Sequence, residues 1–192
     1  VGNFQLDGPE RVAVAEYITG RPFDPAWAGD ENRCSESATW PKGDPFSRPH
    51  WNGWGNGLKN HRFQNAQNAQ LDISKISELE LKWAFAHPGE TFVESQPTVV
   101  GGRVFIGNPS GKVFALDAET GCTYWVFQAS GPVKSAVTIG KVTDDEYSVF
   151  FGDQSGKVYS LNAETGEIRW KDQGDSHPAA RVTGAVQIYK GL

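Results

Sequence analysis

A repeated segment is the feature that most constrains the fold of this 192-residue chain. Residues 110–121 and 155–166 are identical at nine of twelve positions, and a tryptophan follows the last glycine of each by four residues. These tryptophans, Trp125 and Trp170, are 45 residues apart, and Trp83 precedes the first of them by 42 residues. Self-similarity at a period of this length predicts stacked copies of one supersecondary unit, which bury their core against neighbouring copies.

Each copy predicts four short strands. Residues 98–107 form two apolar runs around Gly101 and Gly102, which is typical of a hairpin. Residues 112–116 alternate apolar side chains and supply a third strand, and residues 123–127 supply a fourth. Four-stranded units at this period are typical of the blades of a β-propeller, so we predict an all-β fold.

The length of the chain predicts an incomplete ring. A propeller has ~4–8 blades, and the repetitive part of this chain holds only about two to two and a half of them. We therefore expect a partial β-propeller with open sheet edges, which are a liability unless another copy or another segment covers them. The chain is expected to be a piece of a longer protein and to self-associate.

The chain divides into three segments, which are residues 1–22, 23–78 and 79–192. The first predicts a helix over residues 7–19, with Asp7 as its cap. Val14, Tyr17 and Ile18 share one face of this helix, and we expect that face to dock on another element.

The second segment is irregular, with several prolines, and it contains four tryptophans: Trp27, Trp40, Trp51 and Trp54. Exposed tryptophans at this density would be costly, so the segment is expected to wrap over a surface. It ends in a predicted helical turn at residues 71–79. A predicted strand at residues 81–85 then leads into the repeats.

Composition narrows the function classes. Asp plus Glu outnumber Lys plus Arg by 23 to 18, which argues against nucleic acid as the main partner. No apolar run is long enough for a membrane span, and residues 1–25 show no signal peptide. The two cysteines, Cys34 and Cys122, lack the spacing of a zinc or haem site. From the residues alone they form either one long-range disulfide or two separate buried thiols.

The repeated pattern Ala-Leu-Asp-Ala-Glu-Thr-Gly, followed by a tryptophan four residues after the glycine, resembles the repeat of pyrroloquinoline quinone (PQQ) dehydrogenase propellers. Several further segments are similar to the polyvinyl-alcohol dehydrogenase branch of that family, which consists of quinohaemoproteins. They are residues 50–55, 62–64, 95–99, 120–125 and 177–184. The resemblance covers roughly residues 34–192.

This resemblance implies a fragment of an exported, periplasmic or secreted oxidoreductase that is not active alone. The parent would oxidise the hydroxyl of a small or polymeric alcohol, with PQQ and Ca²⁺ as cofactors and a cytochrome as electron acceptor. Residues 4–22 resemble the closing helix of a c-type cytochrome domain, but its Cys-x-x-Cys-His and axial Met are missing, so haem c is not predicted. Export would favour oxidation of Cys34 and Cys122, tying the wrapping segment to the first complete blade.

The resemblance also points to a cofactor site at one mouth of the propeller, where the loops lead into the innermost strands. PQQ carries three carboxylates and an ortho-quinone, so it needs cations and hydrogen-bond donors. Lys134 and Arg181 are candidates to bind its carboxylates, although the family pattern suggests Arg at position 134. The candidate donors are Gln96, Ser135 and Thr183.

Two further mouth residues are candidates for chemistry. Glu94 is the candidate metal ligand, because Ca²⁺ prefers oxygen ligands. His177 is the candidate catalytic residue, which would act as a base or polarise the substrate hydroxyl. The alternative for this whole set is ordinary polar loop residues, solvated or bonded to backbone. The alternative function is a non-enzymatic propeller of the same repeats, which acts as a scaffold or binding module for peptides or proteins.

Overall fold

A computed structural model of the chain describes residues 8–20, 22, 32–35, 39–87 and 89–189. Helix α1 covers Gly8–Thr19 and ends at Gly20, whose φ of +63° suits a glycine. Helix α2 is a single turn at Ala66–Ala69, and 3₁₀ turns lie at Pro45–Ser47 and Ile73–Glu78. The last of these agrees with the predicted helical turn. The predicted cap Asp7 and Trp27 lie outside the described residues.

The repeats form two antiparallel four-stranded sheets, each with its strands in chain order, which confirms the predicted blades. The strands of the first sheet are β1 Thr98–Val100, β2 Arg103–Gly107, β3 Lys112–Asp117 and β4 Thr123–Gln128. Those of the second sheet are β5 Thr138–Lys141, β6 Tyr147–Gly152, β7 Lys157–Asn162 and β8 Ile168–Gln173.

Tryptophans join one unit to the next. The indole N–H of Trp125 donates to the carbonyl of Ala163 at 3.2 Å, and its ring lies over Gly166 in the second sheet. Trp83 repeats the arrangement on the first sheet, donating to Ala118 at 3.0 Å and lying over Gly121. Each ring therefore docks on the turn between the third and fourth strands of the following unit, as the repeat predicts.

Trp170 breaks the series, because its side chain is 47% exposed. Its ring has a neighbour in its own sheet, Phe150, at 6.1 Å between centroids. All six residues of β8 are exposed. The prediction that this third tryptophan docks between units was wrong for the described chain, in which no third turn of the repeat follows the second sheet.

Two other predictions also fail in the described chain. Residues 81–85 form no strand, and instead Trp83 and Phe85 pack onto the first sheet, with the Phe85 ring 5.1 Å from that of Phe114. The apolar face of α1 is exposed, with Tyr17 90% exposed. No helix within the described ranges is long and apolar enough to cross a membrane.

The wrapping segment forms a strap, by which we mean residues 32–35 and 39–58. At its outer end, Cys34 and Cys122 are joined in a disulfide beside β4. In its middle, Trp40 is buried against Phe105 and Tyr147, with ring centroids 6.2 and 5.9 Å away. The strap thus crosses both sheets. The burial of Trp40 agrees with the prediction from the tryptophan content, whereas Trp54 is 40% exposed.

The inner end of the strap completes the free edges of two inner strands. Trp51 and Val99 exchange both backbone hydrogen bonds at 2.8 Å. The side-chain amide of Asn52 donates to the Ile139 carbonyl and accepts from the Ile139 N–H, both at 2.8 Å. Its carboxamide therefore replaces a peptide group at the edge of β5, which satisfies backbone groups that would otherwise lack partners.

His87 makes the docking of the segment before the first sheet sensitive to pH. Its ring packs edge-on against Phe85 and Phe114, 5.0 and 5.4 Å between centroids. Burial lowers the pKa of His87 below 6.5, and the charge of Glu90 opposes this only in part. The folded chain therefore binds fewer protons than the unfolded chain just below pH 6.5, so its stability falls as the pH decreases through this range.

We expect the urea midpoint of the wild type to fall between pH 7.5 and pH 5 by more than that of His87→Phe. The variant keeps an aromatic ring in the same place and has no proton to bind there. An equal fall in the two proteins would show that His87 does not contribute to the pH dependence.

Candidate functional site

Three loop segments lie at one end of the two sheets. We call them the mouth, and they comprise residues 94–96, 133–135 and 180–183. The first two lead into the inner strands β1 and β5, whereas the third follows β8 and leads into no strand among the described residues. The N–H of Val133 donates to the carbonyl of Asn108 in the first sheet at 3.0 Å. The N–H of Val182 donates to Asp153, the corresponding residue of the second sheet, at the same distance. This repeated bond places the second and third segments equivalently on successive units.

The first two segments are in direct contact. Ser95 is buried, and its hydroxyl donates to the Ser135 carbonyl at 2.9 Å. Lys134 and Glu94 form an ion pair of 2.5 Å, and the Lys134 ammonium lies 5.7 Å from the centre of the Phe92 ring. The predicted anion ligand and the predicted metal ligand therefore neutralise each other in this structure.

The third segment is tethered to the second sheet instead. Arg181 is exposed and donates to the carbonyl of Gln154 at 3.2 Å. Thr183 is exposed and Gln96 is half-buried. Among the contacts of the described residues, none joins Arg181, Thr183 or Gln96 to the ion pair. The structure therefore brings Glu94, Lys134 and Ser135 together and leaves the other predicted ligands separate at the same mouth.

His177 lies on an exposed loop before the third segment. Its backbone N–H donates to Asp175 at 2.7 Å, and its ring Nδ1 accepts from the N–H of Ala179 at 3.1 Å. An accepting Nδ1 places the proton of the neutral ring on Nε2. The loop thus fixes the tautomer of His177, and Nε2 is left to donate a hydrogen bond.

The residue types at the mouth fit part of an anionic cofactor's requirements. The two cations, Lys134 and Arg181, suit the carboxylates of such a cofactor. Gln96 and Thr183 also suit them, because both are hydrogen-bond donors in contact with solvent. The Ser135 hydroxyl is buried and has no hydrogen-bond partner within the described residues, so a ligand reaches it only after the atoms covering it move. A divalent cation has less support, because the described ranges hold no group of three or more His, Cys, Asp or Glu side chains placed to bind one.

Sequence reasoning missed the hydroxyls that join the inner strands. Thr98 donates to the carbonyl of Val137 at 2.6 Å, and Thr138 donates to that of Val186 at 2.5 Å. Together with Ser95, these threonines fix the spacing of the three mouth segments. A signal was present, since Ser-x-x-Thr occurs at residues 95–98 and again 40 residues later.

Two four-stranded sheets joined by docked tryptophans, with their loops at one mouth, define part of a β-propeller. A family model, PQQ_2, described as outer membrane protein assembly factor BamB, matches residues 62–191. With the two polyvinylalcohol dehydrogenase relatives below, this match shows that the chain belongs to the PQQ-dependent dehydrogenase propeller family.

Two relatives are named polyvinylalcohol dehydrogenase. The one from a Pseudomonas species is 32% identical over 97% of this chain, and the one from Sphingopyxis sp. (strain 113P3) is 36% identical over 84% of it. This chain spans 31% and 24% of their lengths. The crystal structure of quinohemoprotein alcohol dehydrogenase from Comamonas testosteroni covers 96% of this chain with a TM-score of 0.63 at 23% identity, and 26% of that protein is matched. This last likeness shows the fold alone.

Proposed function

We propose that this chain is part of the propeller of an exported, periplasmic PQQ-dependent alcohol dehydrogenase similar to the polyvinylalcohol dehydrogenases. The observation that carries the proposal is the mouth, where Lys134 and Arg181 lie on successive, equivalently anchored segments. PQQ, when bound, would supply a two-electron acceptor for the alcohol. The electrons would then leave to a cytochrome, and residues 1–22 are proposed as the remnant of a cytochrome-like domain.

Each mouth residue has a proposed part in this function. Lys134 and Arg181 bind carboxylates, Arg181 in a bidentate fashion. Gln96, Ser135 and Thr183 donate hydrogen bonds to the cofactor. Glu94 provides an oxygen ligand for Ca²⁺, which requires it to release Lys134 from their ion pair. His177 donates a hydrogen bond to the substrate hydroxyl oxygen through Nε2 and so polarises it; in this tautomer Nε2 cannot accept the hydroxyl proton.

The tryptophans support a further unit beyond the second sheet. The described chain has three docking tryptophans and two docking turns, and Trp83 and Trp125 occupy both turns. A second copy of this chain therefore has no free turn to offer Trp170. We propose that another unit of the repeat covers Trp170, and that the chain without it is inactive. Self-association would have to use the open sheet edges, and a light-scattering mass that rises with concentration would support it.

PQQ binding tests the proposal directly. We expect PQQ to quench the tryptophan fluorescence of the folded chain, and we expect Ca²⁺ to strengthen the binding. Arg181→Met should weaken binding about tenfold, since a charge-assisted contact contributes on the order of 1.4 kcal/mol. Lys171→Met is the matched control, because it removes the same charge from the exposed strand β8, and its affinity should equal that of the wild type.

The same titration addresses the scaffold alternative. The description of the matching family model, an assembly factor, favours a propeller that binds proteins without a cofactor. A folded chain that shows no quenching with PQQ, with or without Ca²⁺, would contradict cofactor binding by this chain and favour the scaffold. Equal weakening by Arg181→Met and Lys171→Met would indicate non-specific attraction between charges.

A further inference from the structure

The two ends of the strap are held by different kinds of contact. The middle of the strap is anchored by the burial of Trp40, and the inner end by regular backbone pairing in the Trp51–Val99 bridge. At the outer end, Asn32 and Cys34 are half-buried, and Arg33 and Ser35 are exposed. None of the described residues 32–35 is a large apolar side chain, so these four supply no packing of the kind that Trp40 provides.

The outer end covers a strand edge at one residue, Thr123 in β4. The N–H of Thr123 donates to the Asn32 carbonyl at 2.8 Å, and its carbonyl accepts from the Cys34 N–H at 3.2 Å. Asn32 also donates weakly to the Gly121 carbonyl, at 3.4 Å. These bonds make a short parallel bridge between the strap and the edge of the first sheet.

The covering also has a cost. The Thr123 hydroxyl is buried and has no hydrogen-bond partner in the described part of the chain. A buried hydroxyl without a partner is unfavourable, and water would satisfy it if the strap moved away. The disulfide between Cys34 and Cys122 holds the strap beside Thr123 despite this cost, and both cysteine residues keep some solvent contact.

We propose that the Cys34–Cys122 disulfide is a redox-sensitive latch that controls whether the β4 edge at Thr123 is covered. A dithiol reductant opens it: one thiolate attacks a disulfide sulfur, the second thiolate closes the oxidised reductant, and both cysteines leave as thiols after gaining two electrons and two protons. Residues 32–35 then separate from β4, while Trp40 and residues 51–53 stay in place. The latch is independent of PQQ.

Amide hydrogen exchange of the native full chain separates the two ends of the strap. After treatment with dithiothreitol, we expect the Thr123 amide to exchange at least tenfold faster. The Val99 amide, bonded to the Trp51 carbonyl, should change less than twofold, and so should the Ile139 amide, bonded to Asn52. A mass gain of two hydrogens confirms reduction.

The variant with both Cys34→Ser and Cys122→Ser should show the exchange pattern of the reduced protein without reductant. If this variant does not fold, reduction of the folded wild type still decides the question. An unchanged Thr123 amide would overturn the latch, because the outer end would then hold without the disulfide. Faster exchange at all three amides would also overturn it, because the disulfide would then hold the whole strap.

Discussion

Gly166→Ala is expected to destabilise the chain by about 3 kcal/mol or more, because it combines backbone strain with a steric clash. The φ of Gly166 is +76°, a conformation that costs alanine about 1 kcal/mol. A Cβ at this position would also lie 2.6 Å from the Trp125 ring, closer than carbon atoms approach. Because Trp125 is buried between the two sheets, its ring cannot move away without opening the contact between the units.

Gly102 offers a control that isolates the clash. Its φ is +77°, and a Cβ built there meets nothing within 4 Å. Gly102→Ala should therefore show only the backbone cost of about 1 kcal/mol. Urea unfolding followed by fluorescence measures both variants. If the two variants lose the same free energy of unfolding, the clash with the Trp125 ring adds nothing to the backbone cost.

Arg103→Met should cost about 3 kcal/mol, because it removes two charge-assisted hydrogen bonds from a buried site. The Arg103 side chain is 3% exposed and donates to the carbonyls of Ala163 and Glu164 at 3.2 and 2.7 Å. Its guanidinium also lies 5.4 Å from the Trp40 ring centre and 4.1 Å from that of Tyr124. One residue thus joins the first sheet, the second sheet and the strap.

Arg169→Met is the matched control for this prediction. Arg169 makes a 3.1 Å ion pair with Glu146, with both side chains partly exposed. Such pairs contribute about 1 kcal/mol or less, so this variant should stay close to the wild type in urea unfolding. If the two arginine variants unfold at the same urea concentration, the contacts of Arg103 are not an important source of stability.

The eight strands were predictable because their determinants are local. Alternating apolar residues and the turn residues of each unit specify the hairpins, and Asp117 and Asn162 close equivalent turns by accepting backbone N–H groups. The docking of Trp83 and Trp125 was predictable because both occupy the same position in successive copies of the repeat. Trp170 has the same sequence context but is exposed, because docking also requires a partner turn, which the tryptophan's own unit does not supply.

The path of the strap could not be predicted from local patterns. Its tryptophans indicated a covering segment, but the Asn52–Ile139 and Trp40–Glu164 contacts that fix its path join positions 87 and 124 residues apart. The strand predicted at residues 81–85 failed for a related reason. Trp83 and Phe85 are apolar because they dock on the first sheet, and this produces the same alternation as a strand.

The candidate site was predicted by resemblance and residue type, which identify the mouth but not the pairing within it. Lys134 and Glu94 were assigned to different ligands, and the structure pairs them with each other. The repeat does not predict this ion pair, because neither residue lies in the repeated twelve-residue segments. Cys34 and Cys122, by contrast, form the disulfide that export in the resembling family favours.

The Asn52 carboxamide has a consequence for the order in which the chain folds. Strands of one sheet pair with neighbours close in sequence, so each sheet can form early and at low entropic cost. Asn52 can meet Ile139 only when β5 already presents a finished edge, and this contact closes a segment of 87 residues. The strap is then the last part to reach its place, although it lies before both sheets in the sequence. During synthesis, its tryptophans would leave the ribosome before the two sheets and would stay exposed until both sheets had been made.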